Sequence, residues 1–306
     1  MLKRVVITGC TGMLGLGLIQ ILLANNIEIL GIAHPASAKL SRLPKDERLK
    51  VVECDISDLF TLSEKITEQY DMFYHLAWSG TFGESRNDMY QQLKNIQYTI
   101  DAVRLAKNLG CHTFIGAGSQ AEYGRSSVNI NENTNTLPET GYGIAKLSAG
   151  FMSRIECEKL GLRHIWSRIF SVYGPNDNSY TMIISSIRKM LNGERPVFTK
   201  GEQIWDYLYC EDAAEALYLM GLKGRNNATY CLGSGNAIPL LNYINLIRDN
   251  IDRKLEIGFG DIPYSKNQIM YLCADITSLT KDTGFIPKTN FIEGIKKTID
   301  WCKRGI

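Results

Sequence analysis

The most constraining feature of this sequence is a glycine-rich turn that follows its first hydrophobic run. Residues 4–8 read RVVIT, a β-branched run that is typical of a buried strand. Gly9, Gly12 and Gly15 come next in GxxGxxG spacing, and an apolar segment of helical length follows at 14–24. Glycines let the backbone turn tightly between a strand and a helix. A strand, a glycine turn and a helix in this order predict the start of a parallel α/β fold.

The same turn is a candidate site for a dinucleotide. The N-terminus of the following helix carries oriented N–H groups and a positive partial charge, which suit a pyrophosphate. We therefore expect cofactor contacts from six residues of this segment: Gly9, Thr11, Gly12, Met13, Leu14 and Gly15. The alternative interpretation is a glycine-rich turn that serves only close packing.

Strand-like runs and helical patterns alternate through the first half of the chain. The predicted strands continue at 27–33, 49–54, 71–77, 113–117 and 163–170, and the predicted helices lie at 14–24, 59–68, 89–108 and 143–160. Repeated βαβ units predict a Rossmann-type, doubly wound parallel sheet with helices on both faces. After residue 170 the pieces become shorter. We therefore expect a dinucleotide-binding domain over 1–170 and a smaller, mainly substrate-binding α/β subdomain over 171–306, with some segments returning to the first domain.

Charge and composition exclude several kinds of partner. The 306 residues hold 34 Lys and Arg against 32 Asp and Glu, a net charge of +2 without basic runs, so nucleic-acid binding is not expected. The sequence has no stretch of 18 uninterrupted apolar residues, so no membrane span is expected. A phosphate-bearing ligand must therefore be held by local groups rather than by a general positive field.

The eight cysteines are spread along the chain without a CxxC pair, and the four histidines are scattered. This pattern predicts buried, reduced thiols and no metal site. Lys3 and Arg4 precede an apolar run, as in a signal peptide, but that run is interrupted by glycines and polar residues and no cleavage site follows. We therefore expect a cytoplasmic protein.

The segment after the second predicted strand bears on the choice between NADP and NAD. NAD-selective sites place an Asp or Glu there to accept from the ribose 2′-hydroxyl, and this chain has none. His34, Lys39 and Arg42 lie in this segment instead, and they suit a 2′-phosphate. We therefore expect NADP, with NAD as the alternative. The other interpretation of Lys39 and Arg42 is that they are solvated loop charges.

Three further residues are candidates for catalysis. Tyr142 and Lys146 stand four residues apart at the start of a predicted helix, so they share a face. A nearby ammonium group lowers the pKa of a tyrosine towards the range in which acid–base catalysis is efficient. Ser119 follows a predicted strand, at the edge where open α/β sheets bind ligands. Each residue alone has an ordinary explanation, as a surface Tyr, a surface Lys or a turn Ser, but the set is more specific.

Together these motifs resemble the extended short-chain dehydrogenase/reductases of the NAD-dependent epimerase/dehydratase family, which act on nucleotide sugars. The resemblance covers nearly the whole chain and rests on the glycine turn, Asp55-Ile56, His75-Leu76-Ala77, Ser119, Tyr142-x-x-x-Lys146 and the segments 168–175 and 205–212.

The resemblance implies roles for individual residues. Asp55 and Ile56 would hold the adenine, and Leu76 and Ala77 would line the cofactor groove. Tyr142 would donate or accept the proton and, with Lys146, touch the cofactor. A homodimer formed through the helices at 89–108 and 143–160 is also implied.

The chain departs from the family pattern in ways that bear on the reaction. Family dehydratases carry an Asp-Glu pair directly after the catalytic Ser or Thr, whereas this chain has Gln120-Ala121 and its Glu122 comes one position late. Water elimination is therefore not expected. Ser171 replaces an Asn and Trp205 replaces an Arg, both of which contact the substrate diphosphate in other members.

The expected substrate contacts are Trp78, Ser79, Gln120, Ser171 and Trp205. Trp78, Ser79 and Thr81 are expected to face the sugar, with loop packing as the alternative. Trp205 suits stacking on a base or sugar, but a packed core or interface tryptophan is an equal alternative.

The favoured function is a 4-ketoreductase of a nucleotide-linked 4-keto-6-deoxyhexose, with hydride from NADPH to C4 and a proton from Tyr142. An NAD-dependent nucleotide-sugar 4-epimerase uses the same residues and is the first alternative. The second is a non-catalytic dinucleotide-sensing protein on the same fold.

Overall fold

Thirteen strands are present in residues 2–305, which are the residues that the computed structural model describes. In chain order they are β1 (Arg4–Thr8), β2 (Glu28–Ala33), β3 (Leu49–Glu53), β4 (Met72–His75), β5 (Thr113–Ser119), β6 (Arg163–Ile169), β7 (Ser171–Tyr173), β8 (Val197–Phe198), β9 (Ile204–Tyr209), β10 (Ala228–Leu232), β11 (Ala237–Pro239), β12 (Gly258–Phe259) and β13 (Tyr271–Leu272).

The same residues form eight α-helices and four 3₁₀ segments. The helices are α1 (Met13–Ala24), α2 (Met89–Asn108), α3 (Gly141–Leu160), α4 (Met182–Leu191), α5 (Cys210–Lys223), α6 (Leu240–Ile251), α7 (Thr277–Thr283) and α8 (Phe291–Arg304). The 3₁₀ segments are Leu40–Arg42, Ile56–Glu64, Gly83–Asn87 and Gln120–Glu122.

Seven parallel strands form the main sheet, in the spatial order β10-β6-β5-β4-β1-β2-β3. The chain winds outwards from the central β1 in both directions, first through β2 and β3 and then through β4, β5 and β6. This order is that of the Rossmann fold. The predicted doubly wound α/β fold is therefore confirmed.

Alternation along β1 distributes its side chains between two cores. Val5 and Ile7 pack with residues of α1 and α5 on one face of the sheet. Val6 packs with residues of α2 on the other face. Successive side chains of a strand point to opposite faces, so a continuous apolar run can be buried only where helices cover both faces.

The remaining strands build a smaller unit beside the sheet. β9 pairs with β7, β11 and β13, and a third core lies between this unit and α4, α6 and α8. β10 returns to the edge of the main sheet, beside β6. The division into domains at residue 170 stays a prediction.

One predicted helix takes a different form. The pattern at 59–68 predicts a helix, whereas the structure forms the 3₁₀ segment Ile56–Glu64. The carboxylate of Asp55 accepts from Ser57 N at 2.9 Å and starts a tight turn. The hydroxyls of Thr61 and Ser63 then bond to carbonyls three residues earlier. Such local side-chain bonds compete with the regular α-helical ladder.

Residues 2–305 contain neither a candidate membrane-spanning helix nor a candidate metal site. No helix there is long and apolar enough to cross a membrane. No group of three or more His, Cys, Asp or Glu side chains is arranged to hold a metal ion. The eight cysteines are all buried, and none forms a disulfide in the structure.

Candidate active site

The glycine turn lies at the carboxyl end of β1 and leads directly into α1. Gly9 has a φ of 71°, and a Cβ there would lie 2.8 Å from the backbone N of Ala77. A Cβ on Gly15 would lie 2.8 Å from Cα of Cys10. Side chains are therefore excluded at both positions, and the first N–H groups of α1 remain open to the cavity. The cradle fits a pyrophosphate.

One side of this cradle opens into a cavity of about 520 Å³, which we call the adenosine cavity. Its walls include most of the residues predicted to bind the adenosine half of a cofactor: Gly9, Thr11, Gly12, His34, Lys39, Asp55, Ile56, Leu76 and Ala77. Asp55 caps the 3₁₀ segment that follows it, and the hydrogen bond from Ser57 N lowers the pKa of its carboxyl. His34 Nε2 lies 3.0 Å from the Asp55 carboxylate.

The other side opens into a cavity of about 370 Å³, which we call the catalytic cavity after the residues predicted to act there. The predicted catalytic residues Ser119, Tyr142 and Lys146 meet in this cavity, although they come from the end of β5 and the first two turns of α3. The predicted loop residues Met13, Leu14 and Gly15 line it as well. Cavities of this size are typical of small-molecule sites.

The start of α3 fixes Tyr142 and Lys146. The Thr140 hydroxyl caps the helix by accepting from Gly143 N at 3.1 Å. One turn later, Lys146 Nζ donates to Ala117 O at 2.6 Å and lies 3.7 Å from the ring centre of Trp78. Burial lowers the pKa of Lys146 to about 7. Burial raises the pKa of Tyr142, and the nearby Ser119 side chain opposes that shift.

Glu122 holds the loop that carries Ser119. Its Oε1 accepts from Ser119 N at 2.8 Å, and its Oε2 accepts from Arg168 Nε at 2.6 Å. Trp166 donates a further bond to this fully buried carboxylate. Glu122 does not line the cavity, so it is not available there as an acid or base. The carboxylate of Asp177 does line this cavity, and it accepts from Asn178 N and Thr181 Oγ1.

The predicted substrate residues divide into two groups. Trp78 lines both cavities, and Ser79 lines the adenosine side, where its backbone bonds to Asn95. Gln120, Ser171 and Trp205 do not line either cavity. Trp205 Nε1 donates to Ser171 Oγ at 2.8 Å, so these two side chains satisfy each other rather than facing the groove. The Oε1 atom of Gln120 is buried and has no partner within residues 2–305.

The loop after β2 crosses the groove. Lys39 lines both cavities, and its Nζ donates to Asn178 Oδ1 at 2.9 Å. Arg42 is exposed and does not line the adenosine cavity, because its side chain reaches Asn176 O at 3.3 Å. Of the three residues expected near a 2′-phosphate, His34 and Lys39 line the adenosine cavity and Arg42 does not.

Several lining residues were not predicted. The loop 176–178 lines the catalytic cavity beside Thr81, which was expected to face the sugar, and Tyr98 lines the adenosine cavity. Arg86 lies over the ring of Tyr142, with its guanidinium carbon 4.3 Å from the ring centre. The turn-rich sequence at 174–178 was a usable signal for a loop. No sequence pattern distinguishes Arg86 from a surface arginine.

The model of the NAD dependent epimerase/dehydratase family matches residues 5–233. The UDP-glucuronate 4-epimerase of Thermodesulfobacterium geofontis is 26% identical over 98% of this chain and 96% of its own length.

Solved structures of epimerases are also similar to this chain. The UDP-N-acetylglucosamine 4-epimerase from Methanobrevibacter ruminantium M1, in complex with UDP-N-acetylmuramic acid, has a TM-score of 0.90 and 25% identity over 99% of each chain. The UDP-glucuronic acid 4-epimerase from Bacillus cereus, in complex with UDP-glucuronic acid and NAD, shares the fold with a TM-score of 0.87 and 21% identity, over 99% of this chain and 100% of its own.

The family match spans the glycine cradle, both cavities and the three side chains Ser119, Tyr142 and Lys146 that line the second of them. The match and the enzymes among the relatives support an enzyme rather than a non-catalytic sensor. The chain belongs to the NAD dependent epimerase/dehydratase family and is an NAD(P)-dependent nucleotide-sugar enzyme.

Proposed function

We propose that this chain is an NAD-dependent 4-epimerase of a nucleotide-diphosphate sugar. The observation that carries the proposal is the meeting of Ser119, Tyr142 and Lys146 in a cavity next to the glycine cradle, where the nearby carboxylates are already engaged. Proton and hydride transfer need no further acid, whereas elimination of water does. The 4-epimerases among its relatives support this choice over the ketoreductase.

Tyr142, Ser119 and Lys146 have different roles in the proposed reaction. A bound nicotinamide supplies the hydride acceptor and donor. Tyr142 takes the proton from the sugar 4-hydroxyl and later returns it, while Ser119 hydrogen-bonds the same oxygen. Lys146 stabilises the charged form of Tyr142 and bonds the ribose of the cofactor. Inversion at C4 then requires that the keto sugar turn within the cavity before hydride returns to its other face.

The contacts across the groove support an epimerase as well. Lys39 and Arg42 connect the loop after β2 to the 176–178 loop through two hydrogen bonds. These bonds hinder release of a dinucleotide beneath them. An epimerase regenerates its oxidised cofactor in every turnover and gains from retention, whereas a ketoreductase has to exchange the cofactor each time.

We propose NAD as this cofactor, with NADP as the alternative. Arg42 does not line the adenosine cavity, and His34 is paired with Asp55 there. Lys39 is the remaining cation for a 2′-phosphate. Calorimetric titration of the Lys39→Met variant tests the point: a selective loss of NADPH affinity supports the NADP alternative, and equal loss of NADH and NADPH affinity supports NAD.

The nucleotide end of the substrate has a candidate site beside α4. A cavity of about 290 Å³ is lined by Phe198, Ser185, Gln203 and Lys189. Its wall begins at Met182, four residues after Asn178, which lines the catalytic cavity. An aromatic face with amide and hydroxyl groups suits a nucleobase, and Lys189 suits a phosphate. Gln120, Ser171 and Trp205 remain proposed substrate contacts that require a rearrangement on binding.

We also propose a homodimer and a cytoplasmic location. The exposed faces of the packed helices α2 and α3 carry large apolar side chains, namely Met89, Tyr90, Leu93, Ile144, Phe151, Met152 and Ile155. A second copy of the chain would cover them in a four-helix arrangement. The eight buried cysteines without disulfides support a reducing compartment.

The 4-ketoreductase of an NDP-4-keto-6-deoxyhexose, using NADPH, is the second candidate. The side chain of Trp78 favours it, because this ring packs edge-on to Tyr142 with 6.1 Å between ring centres and narrows the space in which a keto sugar must turn. A reductase needs only one orientation of the sugar.

One experiment separates the two candidates. Purified protein with NAD is incubated with UDP-glucose, UDP-N-acetylglucosamine or UDP-glucuronate, and the 4-epimers are measured by chromatography. In parallel, NADPH oxidation is followed with dTDP-4-keto-6-deoxyglucose. Epimer formation without net NADPH oxidation supports the proposal, and stoichiometric NADPH oxidation without epimer formation assigns the chain as a reductase.

A further inference from the structure

Arg86 lies closer to the ring of Tyr142 than Lys146 does. It belongs to the 3₁₀ segment Gly83–Asn87, between β4 and α2. Its guanidinium carbon is 4.3 Å from the centre of the Tyr142 ring, against 5.7 Å for the Nζ of Lys146. Within residues 2–305, the one hydrogen bond of the Arg86 side chain goes to Thr81 O, at 3.2 Å, and it has no carboxylate partner. No carboxylate among the described residues therefore competes with the Tyr142 ring for this cation.

The segment that carries Arg86 is fastened to the start of α3. The side chain of Asn87 accepts from Gly141 N at 2.9 Å, directly before Tyr142. A Cβ on Gly141 would lie 3.1 Å from Arg86 O and 2.8 Å from Met89 Sδ, so glycine allows the segment and the helix to approach closely. The position of Arg86 over the ring is thus set by backbone contacts on both sides.

Lys146 is occupied by other partners. Its Nζ donates to Ala117 O at 2.6 Å and lies over the ring of Trp78 at 3.7 Å. Burial also lowers the pKa of Lys146 to about 7, so this lysine loses its charge at a lower pH than an ordinary lysine does. An arginine keeps its charge throughout this range.

We propose that Arg86 is a second, permanently charged cation that stabilises the ionised form of Tyr142. The proposal rests on the proposed role of Tyr142 as the group that exchanges a proton with the sugar hydroxyl. When the phenolate forms, Arg86 lies against the ring that shares its negative charge, and its attraction to the ring face strengthens accordingly. Arg86 thereby extends the range in which Tyr142 works towards lower pH.

Other charged and titratable groups also face Tyr142. Burial raises the pKa of Tyr142, Ser119 and Arg86 lower it, and Glu122 raises it. Glu122 is paired with Arg168, so its effect is reduced. The opposite wall of the cavity holds Lys39 and Asp177, and α3 supplies Lys146. Among these groups, Arg86 is the fixed cation that touches the ring.

The test measures the titration of Tyr142 without substrate. Tyrosinate absorbance is recorded against pH for the full-length protein, and the curve of the matching Tyr142→Phe variant is subtracted to isolate Tyr142. We expect Arg86→Gln to raise the midpoint by about one pH unit, and Arg86→Lys to raise it by less than half as much. Arg125→Gln, which removes an exposed arginine paired with Glu139, is the control and leaves the midpoint unchanged.

The pH profile of turnover gives the second readout. In Arg86→Gln the acidic limb of kcat is expected to move upward by the same interval as the midpoint, with about tenfold lower kcat at neutral pH. An unchanged midpoint in Arg86→Gln, an equal shift in Arg86→Lys, or a change confined to KM overturns the proposal. Because the absorbance titration needs no substrate, its result stands whether the protein is an epimerase or a reductase. Thermal unfolding of each variant verifies that the fold is retained.

Discussion

Glu122 and Arg168 form an ion pair that is almost completely withdrawn from solvent, with 2.6 Å between Oε2 and Nε. The same carboxylate accepts from the backbone of Ser119. A loop that presents a candidate catalytic serine is thus anchored to the neighbouring strand β6 from behind, and the carboxylate that performs this task is removed from the chemistry of the cavity.

Removing one partner of this pair is expected to destabilise the protein strongly. In Glu122→Ala the guanidinium of Arg168 stays buried without a counter-charge, and we expect a loss of about 3–5 kcal/mol in the free energy of unfolding. Urea denaturation measures it. The double variant Glu122→Leu with Arg168→Met is the control and is expected to lose less than Glu122→Ala alone. A loss below about 1 kcal/mol in Glu122→Ala contradicts the proposed anchoring.

Tyr142→Phe is expected to abolish proton exchange without disturbing the fold. We expect kcat to fall by about 10²–10⁴-fold, because the phenol supplies the acid and base. The melting temperature and the affinity for NAD should change little. Tyr264→Phe removes a phenol that bonds Glu202 outside both cavities and serves as the matched control. Turnover at the wild-type rate would remove Tyr142 from the mechanism.

A methyl group in the glycine cradle is expected to weaken cofactor binding. In Gly15→Ala the new Cβ meets the backbone of Gly9 and Cys10, so the loop has to move away from the pyrophosphate position. We expect at least about tenfold lower NAD affinity by calorimetry, which corresponds to ~1.4 kcal/mol. Gly17→Ala lies in the same helix but meets Ala214 of α5, and it should lower stability without a comparable loss of affinity. Equal affinity loss in both variants would contradict a specific role for the cradle.

Lys146 is expected to make stability depend on pH. Its pKa falls to about 7 in the folded chain from the usual value of 10.5, so between these values the unfolded chain binds more protons. Stability therefore rises with pH across this window. Lys146→Met removes the penalty, and we expect it to melt roughly 5 °C higher at pH 7, with the difference shrinking towards pH 10. A difference that is constant with pH would show that Lys146 does not titrate in this window.

The exposed apolar side chains of α2 and α3 are expected to hold two copies together. Leu93 and Ile155 are each 63% exposed in the single chain. Leu93→Glu or Ile155→Glu places a charge in the proposed interface, and sedimentation should then detect monomers. Phe60→Glu changes a residue that is 61% exposed, on the 3₁₀ segment after β3, and should leave the dimer intact. A wild-type monomer, or dimers in both helix variants, would contradict the proposed interface.

Local chemistry explains what was predictable. The glycine turn follows from the backbone freedom of glycine, and the parallel sheet follows from the periodicity of hydrophobic residues. Both are properties of residues that are neighbours in the sequence. Tyr142 and Lys146 lie one helical turn apart, so their shared face is also a local property. The structure brings them together with Ser119, and their catalytic roles stay predictions.

Contacts between distant residues explain what was not predictable. Lys39 and Asn178 are 139 positions apart, and no local pattern indicates that one receives the other's hydrogen bond. Ser171 and Trp205 were expected to face the substrate, but they lie on paired strands and bond to each other. Arg86 reaches Tyr142 only because two loops dock on the same helix end.

On the proposed function, the bond between Lys39 and Asn178 also connects the dinucleotide site to the sugar-nucleotide site. Asn178 stands four residues before α4, whose side chains line the cavity proposed for the nucleobase. If a nucleotide bound there displaces α4, we expect the displacement to reach the loop that carries Lys39. By linkage, a sugar nucleotide that tightens this contact raises the affinity for the dinucleotide, and the dinucleotide raises the affinity for the sugar nucleotide by the same factor.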